Sequence, residues 1–400
     1  MMETTRAPKS DSAAKLARGA MTRVLAVLLW LVSIDAAIFL VKTYWADSSL
    51  ARLARRQESL EARIGRQFDS SGRPLPQLGG LAFAGWADPR RECYQWSSSD
   101  GGSKLRVSFY GMSFSTDIAR ALREVDPSLD VRAIDAPSST ASHSLAMAEV
   151  DRSPGKVAVL AILTSQVVKE GSMLGALIST GNTAAYTSPA MTEDERGHWS
   201  RIPPEIATLE DFGASIVRRD DRWHSFLRQM EVLDPLYSPF VFQRSWLDHS
   251  FVIGLIRRAW DRSVEDRASR WQWTADDAGT PRGVRLVRDV LERFVRLAQS
   301  RGECAIVLVI RTFRDPHDVC APIRQSAEAL GIPAICTDEV IDANDSANFK
   351  PDLHYTTIAN RLIAESMLPL LKSACRLEQH PLEGSPPDPG HPTSAPTRPE

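Results

Sequence analysis

The sequence lacks the signals of several large protein classes. It contains neither a P-loop nor a dinucleotide-binding fingerprint, which argues against nucleotide-driven or nicotinamide chemistry. Its 48 basic and 50 acidic residues leave a formal charge of −2, so no global positive field favours nucleic acid. The five cysteines include no Cys-x-x-Cys pair and no cysteine–histidine spacing typical of a metal site. We therefore expect no cofactor, no metal and no nucleic-acid partner.

The cysteines are also too few to indicate a disulfide-stapled scaffold. Cys304 begins one apolar run and Cys336 ends another, as buried core residues often do. A disulfide is compatible with a location outside the cytoplasm, but the sequence leaves its pairing open.

Long hydrophobic runs are scarce, with one exception near the N-terminus. Val24 to Val41 is apolar apart from one serine and Asp35, and at 1.5 Å per residue it spans about 27 Å. Tyr44 and Trp45 follow at the position of an interface belt. The run is long for a cleaved signal peptide and no clean small-x-small site follows it. This pattern favours an uncleaved transmembrane anchor over residues 24–45.

The charges around the anchor indicate its orientation. The basic N-terminus, residues 1–23, should stay in the cytoplasm, which makes this a single-pass protein of the inner (plasma) membrane. The remainder of the chain is then periplasmic or extracellular. Asp35 is costly inside the lipid, and two interpretations stay open. Either it contacts a partner membrane protein, or it is protonated or snorkels toward one end.

Composition divides the rest into a stalk, a domain and a tail. Residues 46–75 predict a spacer helix, with too few heptads to specify a coiled coil, followed by a linker rich in Gly and Pro. Residues 76–376 form the domain, with a large insertion at about 167–280 that lacks strand–helix alternation. Residues 377–400 are rich in proline and poor in apolar residues, which predicts a disordered tail.

Apolar strand-like runs alternate with helical patterns and predict an α/β fold with a mainly parallel sheet. Several of these runs are apolar almost throughout, which is typical of strands buried on both faces. They lie at residues 105–110, 129–135, 156–163, 304–310 and 332–336.

The first of these strands leads into a tight turn that carries a serine. Gly111 breaks the strand, and a helical pattern opens at Ser115. Ser113 therefore lies between a strand end and the orphan N–H groups of a helix N-terminus. An acyl-transfer enzyme places its nucleophile in such a position, although many α/β proteins carry Gly-x-Ser there for turn geometry alone.

A histidine lies in a comparable position near the C-terminal end of the domain. Pro351 blocks helix formation, and Asp352 and His354 lie in a loop just ahead of a helix that Thr356 or Thr357 can cap. A loop histidine with a carboxylate two residues before it supplies a general base and its orienting group. A surface turn is the alternative for this motif read alone.

Together the two stretches resemble the SGNH (GDSL-like) hydrolase family over roughly residues 80–374. Gly111-Met112-Ser113 resembles the family's Gly-Asp-Ser block, with Met in place of Asp, and Asp352-Leu353-His354 resembles its last block. The resemblance implies a three-layer α/β/α sandwich. It also implies Ser113 as nucleophile, His354 as base and Asp352 as its orienter.

The middle blocks of that family are degenerate here. Where the family has a Gly after the second strand and Gly-x-Asn-Asp after the third, this chain has no such Gly and ends its third strand in Thr164-Ser165-Gln166. Ser165 or Gln166 could supply an oxyanion donor. Losing one such donor typically costs about 10²–10³ in rate.

Two arginines complete the candidate site. Arg311 and Arg314 follow the strand at residues 304–310, at the edge where open α/β sheets bind ligands, and could meet an anionic substrate; a solvated loop is the alternative.

The sequence thus favours a serine ester hydrolase or O-acyltransferase. By analogy with anchored family members, its substrate would be an O-acylated carbohydrate, a cell-envelope or exported polysaccharide. The alternative is a non-catalytic binding or scaffold subunit of an envelope polysaccharide assembly.

Overall fold

The computed structural model describes residues 10–45, 48–55, 57–75, 94–97, 105–135, 139–153, 155–174, 189–194, 199–276, 279–315 and 319–377. The predicted tail beyond residue 377 and the start of the predicted domain, residues 76–93, lie outside them. All structural statements below concern the described residues.

The chain is an α/β protein with a mainly parallel central sheet, as the sequence predicted. Its strands are β1 (Tyr94–Ser97), β2 (Arg106–Gly111), β3 (Asp130–Asp135), β4 (Val157–Leu163), β7 (Cys304–Ile310) and β8 (Ala334–Cys336). The strand order is β1-β3-β2-β4-β7-β8, and only β1 runs antiparallel to its neighbour. Four predicted strands match closely, and the fifth, β8, is shorter than predicted.

Alternate residues of the central strands enter two hydrophobic clusters. In β4, Val159 and Ala161 belong to one cluster, whereas Leu160 and Ile162 belong to the other. The first cluster includes apolar residues of α4 (Ser113–Val125) and α12 (Thr357–Leu377). The second includes residues of α5 (Ala141–Val150), α10 (Arg282–Ser300) and α11 (Cys320–Ala329). The period of two along each strand therefore distributes the side chains between two sets of helices.

A separate hydrophobic core lies in the segment between β4 and α10. It is built on α6 (Leu209–Arg218), α7 (Asp221–Leu233), α8 (Pro239–Phe242) and α9 (Phe251–Gln272), and a small hairpin of β5 (Ala190–Glu193) and β6 (Trp199–Ile202) lies in the same segment. Short 3-10 turns lie at Thr164–Lys169, Trp246–His249, Thr337–Glu339 and Ser346–Asn348. The described residues of the predicted insertion are thus mainly helical and bury a hydrophobic cluster of their own.

The residues predicted as a stalk belong to this helical unit. Instead of one spacer helix, the chain forms α2 (Ser49–Arg55) and α3 (Leu60–Gly65). Leu60, Ile64 and Phe68 are buried in the core of the insertion, and the buried Glu61 accepts hydrogen bonds from Trp223 Nε1 and the Arg244 N–H. The heptad spacing indicated a helix but not its packing partner, which lies more than 100 residues away.

The N-terminal helix α1 (Ser10–Tyr44) contains the predicted anchor. Its segment Gly19–Tyr44 is long and apolar enough to cross a membrane, and its apolar residues are almost all exposed. Asp35, within this segment, accepts hydrogen bonds from Ser250 Oγ and, at 2.9 Å, from the Val252 N–H of α9. The sequence left two interpretations of Asp35 open, and the structure shows this residue bound within the same chain.

A disulfide joins Cys320, the first residue of α11, to Cys336, the last residue of β8. Their Cα atoms are 6.0 Å apart, a usual separation for a disulfide. Asp338 lies close enough to share a metal ion with the two sulfur atoms, but sulfurs bonded to each other offer no thiolates. Among the described residues, the structure thus pairs Cys320 with Cys336, a pairing that the sequence left open.

Removing this disulfide should destabilise the domain. The bond closes a segment with a sequence separation of 16, for which the chain-entropy estimate is about 3 kcal/mol. We expect a Cys320→Ser/Cys336→Ser variant to lose roughly that much free energy of unfolding in urea titrations. A single Cys336→Ser variant should lose the same amount, since one bond is broken in either case. Unchanged unfolding midpoints in both variants would contradict the pairing.

Candidate active site

Ser113 is the first residue of α4, directly after β2. The preceding Met112 is extended, with φ −137° and ψ −178°, and Ser115 Oγ accepts a hydrogen bond from the Met112 N–H at 3.0 Å. Gly111 is required at the strand end, because a Cβ atom there would lie 2.6 Å from Ser115 Oγ and 2.7 Å from Ala161 Cβ. The turn therefore leaves Ser113 half-buried at the N-terminus of the helix, where the first N–H groups have no intrahelical acceptor.

His354 lies on a tight loop between Phe349 and Tyr355, which form an antiparallel bridge. The Lys350 N–H donates to His354 O at 2.7 Å, so the loop closes on itself. Leu353, between Asp352 and His354, has φ +68°, a left-handed conformation that is uncommon for a non-glycine residue and typical of functional sites. As predicted, Thr356 caps the helix that follows.

The two segments meet, although they lie 241 residues apart in sequence. Ser113 Oγ and His354 Nε2 are 2.7 Å apart, a good hydrogen-bond distance. On the other side of the ring, His354 Nδ1 lies 3.4 Å from Asp352 Oδ2. Catalytic hydrogen bonds are often long without substrate, so this separation is compatible with an orienting carboxylate. The structure thus brings Ser113 Oγ and His354 Nε2 to hydrogen-bond distance and places Asp352 near the ring, while Nδ1 has no hydrogen-bond partner among the described residues.

Asp352 holds its place and its charge through the same loop. The His354 backbone N–H donates to Asp352 Oδ1 at 3.1 Å, and this bond, with the nearby charges of His354 and Lys350, keeps the pKa of the Asp352 carboxyl below its usual range. The side chain remains 66 % exposed. The carboxylate is therefore ionised at neutral pH and available to stabilise an imidazolium.

The imidazole ring is positioned by stacking as well as by hydrogen bonds. The Phe114 ring stacks on the His354 ring at 4.6 Å, with 25° between the planes, and Tyr355 contacts Phe114 edge-on. Lys350 forms an ion pair with Asp117 at 3.4 Å, which joins the histidine loop to the first turns of α4. Sequence reasoning missed these contacts, although an aromatic residue directly after the candidate nucleophile was a signal.

A buried carboxyl lies beside the nucleophile turn. Asp135 ends β3 and is paired with Gly111 in the sheet register. It accepts a hydrogen bond from Thr116 Oγ1 of α4 at 2.6 Å, and burial raises the pKa of Asp135 to about 6. The group therefore braces α4 against β3 and changes charge near pH 6.

Replacing Asp135 should change how stability depends on pH. In the wild type, the unfolded carboxyl loses its proton near 3.8, whereas the folded one keeps it to about 6. The free energy of unfolding should therefore fall as pH rises across this window, by roughly 2–3 kcal/mol. We expect Asp135→Asn, which keeps an oxygen for Thr116, to lack this decline. Urea titrations at pH 4 and pH 7 measure the effect; identical pH dependence in both proteins would contradict it.

The strand order places the site at the reversal of the sheet. After β2 the chain adds β3 on one side and then β4 on the other, so the carboxyl ends of β2 and β4 border the switch point where α/β sheets bind ligands. Ser113 follows β2, and Ser165 and Gln166 follow β4. Ser165 and Gln166 are half-buried, and no hydrogen bond among the described residues joins either of them to Ser113 or His354. The Oε1 atom of Gln166 is buried without a hydrogen-bond partner in the described part of the chain.

The two candidate arginines lie near the same edge in different environments. Arg311 forms an ion pair with Asp338 at 2.9 Å and donates to Asp315 O, so it ties loops together. Arg314 is exposed, with φ +53°, and its guanidinium lies 4.8 Å from the centre of the Phe313 ring. Of the two, only Arg314 presents an exposed side chain in the loop after β7.

No protein-family model, no curated protein and no solved structure matches this chain.

Proposed function

We propose that this protein is a membrane-anchored serine esterase or O-acyltransferase of the SGNH type, built as a three-layer α/β/α sandwich. The observation that carries the proposal is the 2.7 Å contact between Ser113 Oγ and His354 Nε2. A serine on a strand-to-helix turn and a histidine on a separate loop have no structural need to meet. Their contact, with a carboxylate behind the ring, is the arrangement that activates a serine hydroxyl.

The chemistry follows from the three positions. With Nδ1–H directed at Asp352, Nε2 of His354 accepts the proton of Ser113 as Oγ attacks the acyl carbonyl carbon. The tetrahedral intermediate collapses, the ester bond to the alcohol breaks, and His354 returns the proton to the leaving oxygen. Water, or an acceptor hydroxyl, then attacks the acyl-serine with the same base, releasing acid or the transferred ester.

The oxyanion needs donors, and α4 supplies them. The N–H groups of Ser113 and Phe114 are the first two of the helix and lack intrahelical acceptors. The positive end of the helix dipole adds to their field. Ser165 and Gln166, across the switch point, are the remaining candidates. This hole has fewer side-chain donors than the family pattern implies, which favours modest rates.

The contacts of α9 support a substrate near the membrane. The first turn of this 22-residue helix contacts Asp35 of the anchor, and its last residue, Gln272, donates to Glu170 O beside the turn that follows β4. One helix about 33 Å long therefore connects the anchor to the edge of the sheet that carries the site. An O-acylated envelope polysaccharide, or an acyl carrier passing along the membrane surface, fits this arrangement.

The experiment is an acyl-transfer assay on the full chain in nanodiscs. With p-nitrophenyl acetate, we expect turnover and, in the presence of an oligosaccharide acceptor, an acetylated sugar detected by mass spectrometry. Release of acetate without sugar product identifies an esterase; acetylated sugar identifies a transferase. Absence of both, with short and long acyl chains, would favour the scaffold function.

A further inference from the structure

Exposed apolar side chains also lie on α9 and α2, two helices that contact α1. On α9, Leu255, Ile256 and Trp260 are each about half exposed, at 48 %, 50 % and 49 %. Trp246, just before α9, is 79 % exposed, and Leu50 and Leu53 of α2 are exposed as well. Four of these six residues lie between positions 246 and 260, and a concentration of exposed apolar residues marks a site of interaction.

The depth of this patch follows from the contact at Asp35. That residue lies nine positions before the end of α1 at Tyr44, which corresponds to about 13 Å along the helix. Ser250 Oγ and the Val252 N–H both donate to its carboxylate. If α1 crosses a bilayer with Tyr44 at the interface, the first turn of α9 therefore lies inside one leaflet, whose hydrocarbon is about 15 Å thick.

The exposed face of α9 changes composition along its length. From Phe251 to Trp260 the exposed residues are Leu255, Ile256, Ala259 and Trp260, and none is charged. From residue 262 onward the exposed residues of the helix are Arg262, Asp266, Arg267, Arg270 and Trp271, four of which are charged. A helix that starts in lipid and ends in water requires this sequence of apolar and then charged residues.

Polar groups near the start of α9 are hydrogen-bonded within the protein, as a position in lipid requires. Polar groups in the hydrocarbon must be satisfied within the protein. Asp248 accepts hydrogen bonds from the Ser245 N–H, the Ser59 N–H and Ser59 Oγ, and forms an ion pair with the buried Arg257. Asp35 itself is stabilised by the N-terminus of α9, where a negative charge is favourable.

We propose that residues 246–260, with Leu50 and Leu53 of α2, form a second membrane element that inserts into the outer leaflet beside α1. The protein would then be held by a span and by a monotopic patch, which fixes the orientation of the domain on the membrane. The proposal rests on α1 lying in the bilayer and is independent of the catalytic assignment.

Photolabelling of the unmodified full chain in nanodiscs tests this directly. A phospholipid with a diazirine in the middle of its acyl chain is activated, and adducts are mapped by peptide mass spectrometry. We expect adducts on α1 and on residues 251–260, with labelling of the latter roughly tenfold above that of residues 262–272, because the reactive carbon stays in the hydrocarbon. Adducts on α1 alone, or on neither segment, would overturn the proposal.

A variant provides a second readout. Leu255→Glu/Ile256→Glu changes two exposed residues, so the fold should persist; labelling of 251–260 should fall to the level of 262–272 while α1 stays labelled. Arg262→Glu is the matched control and should leave the labelling pattern unchanged. Equal labelling of 251–260 in the wild type and the double variant would also contradict insertion.

Discussion

Ser113→Ala should abolish ester turnover while leaving the fold intact. The variant removes the Oγ atom that is hydrogen-bonded to His354, and loss of a serine nucleophile in a comparable triad costs about 10⁵-fold or more in kcat. The side chain is half-buried and shortens by one oxygen, so the melting temperature should stay within a degree or two of the wild type. Initial rates with p-nitrophenyl acetate, together with thermal unfolding curves, measure both quantities.

The neighbouring Ser115 offers a matched control. Its Oγ accepts from the Met112 N–H and donates to Met112 O, so it holds the turn and takes no part in the contact with His354. Ser115→Ala should lower stability by about 1 kcal/mol and retain measurable turnover. If Ser113→Ala keeps wild-type activity, or if both variants lose activity equally through unfolding, Ser113 is not the nucleophile.

His354→Ala should reduce kcat about as strongly as Ser113→Ala, because the serine hydroxyl then has no base. Residues of a catalytic triad act as a unit, so the double variant Ser113→Ala/His354→Ala should be no slower than either single variant. We expect Asp352→Asn to be milder, about 10²-fold, since its carboxylate is exposed and 3.4 Å from Nδ1. Multiplicative losses in the double variant would contradict a shared mechanism.

A Phe114 variant tests whether stacking positions the His354 ring without changing the chemistry of that ring. Phe114→Leu removes the stacked ring but keeps an apolar side chain over His354. We expect kcat to fall several-fold with KM unchanged. The imidazole would be less well oriented toward Ser113 but would keep its ability to accept a proton. An effect on KM alone would place Phe114 in substrate binding.

Local patterns in the sequence predict the sheet well, and they single out the two segments whose side chains Ser113 and His354 are in contact. Residues 157–163 and 304–310 are apolar throughout, and runs of this kind are typical of parallel strands buried on both faces. The segments that carry Ser113 and His354 follow strand ends or precede helices with clear caps. The residue types in these turns therefore predicted their local conformation. The two segments meet because both lie at the same edge of the sheet.

Contacts between distant residues are less accessible to the same reasoning. Asp35 is bound by Ser250 and Val252, more than 200 residues away, and no periodicity relates them. Arg311 is paired with Asp338, which looks like an ordinary exposed acid in the sequence. The packing of Leu60 and Ile64 into the insertion likewise depends on a core built from residues 173–268.

The measurement that tests the catalytic assignment most directly is covalent labelling of the full chain with a fluorophosphonate, followed by peptide mass spectrometry. An activated serine hydroxyl attacks phosphorus, the P–F bond breaks and releases fluoride, the base takes the hydroxyl proton, and the phosphonyl group stays on Oγ. We predict a single adduct on Ser113, absent from His354→Ala. No adduct on Ser113, or undiminished labelling of Ser113 in His354→Ala, would contradict a triad formed by these residues.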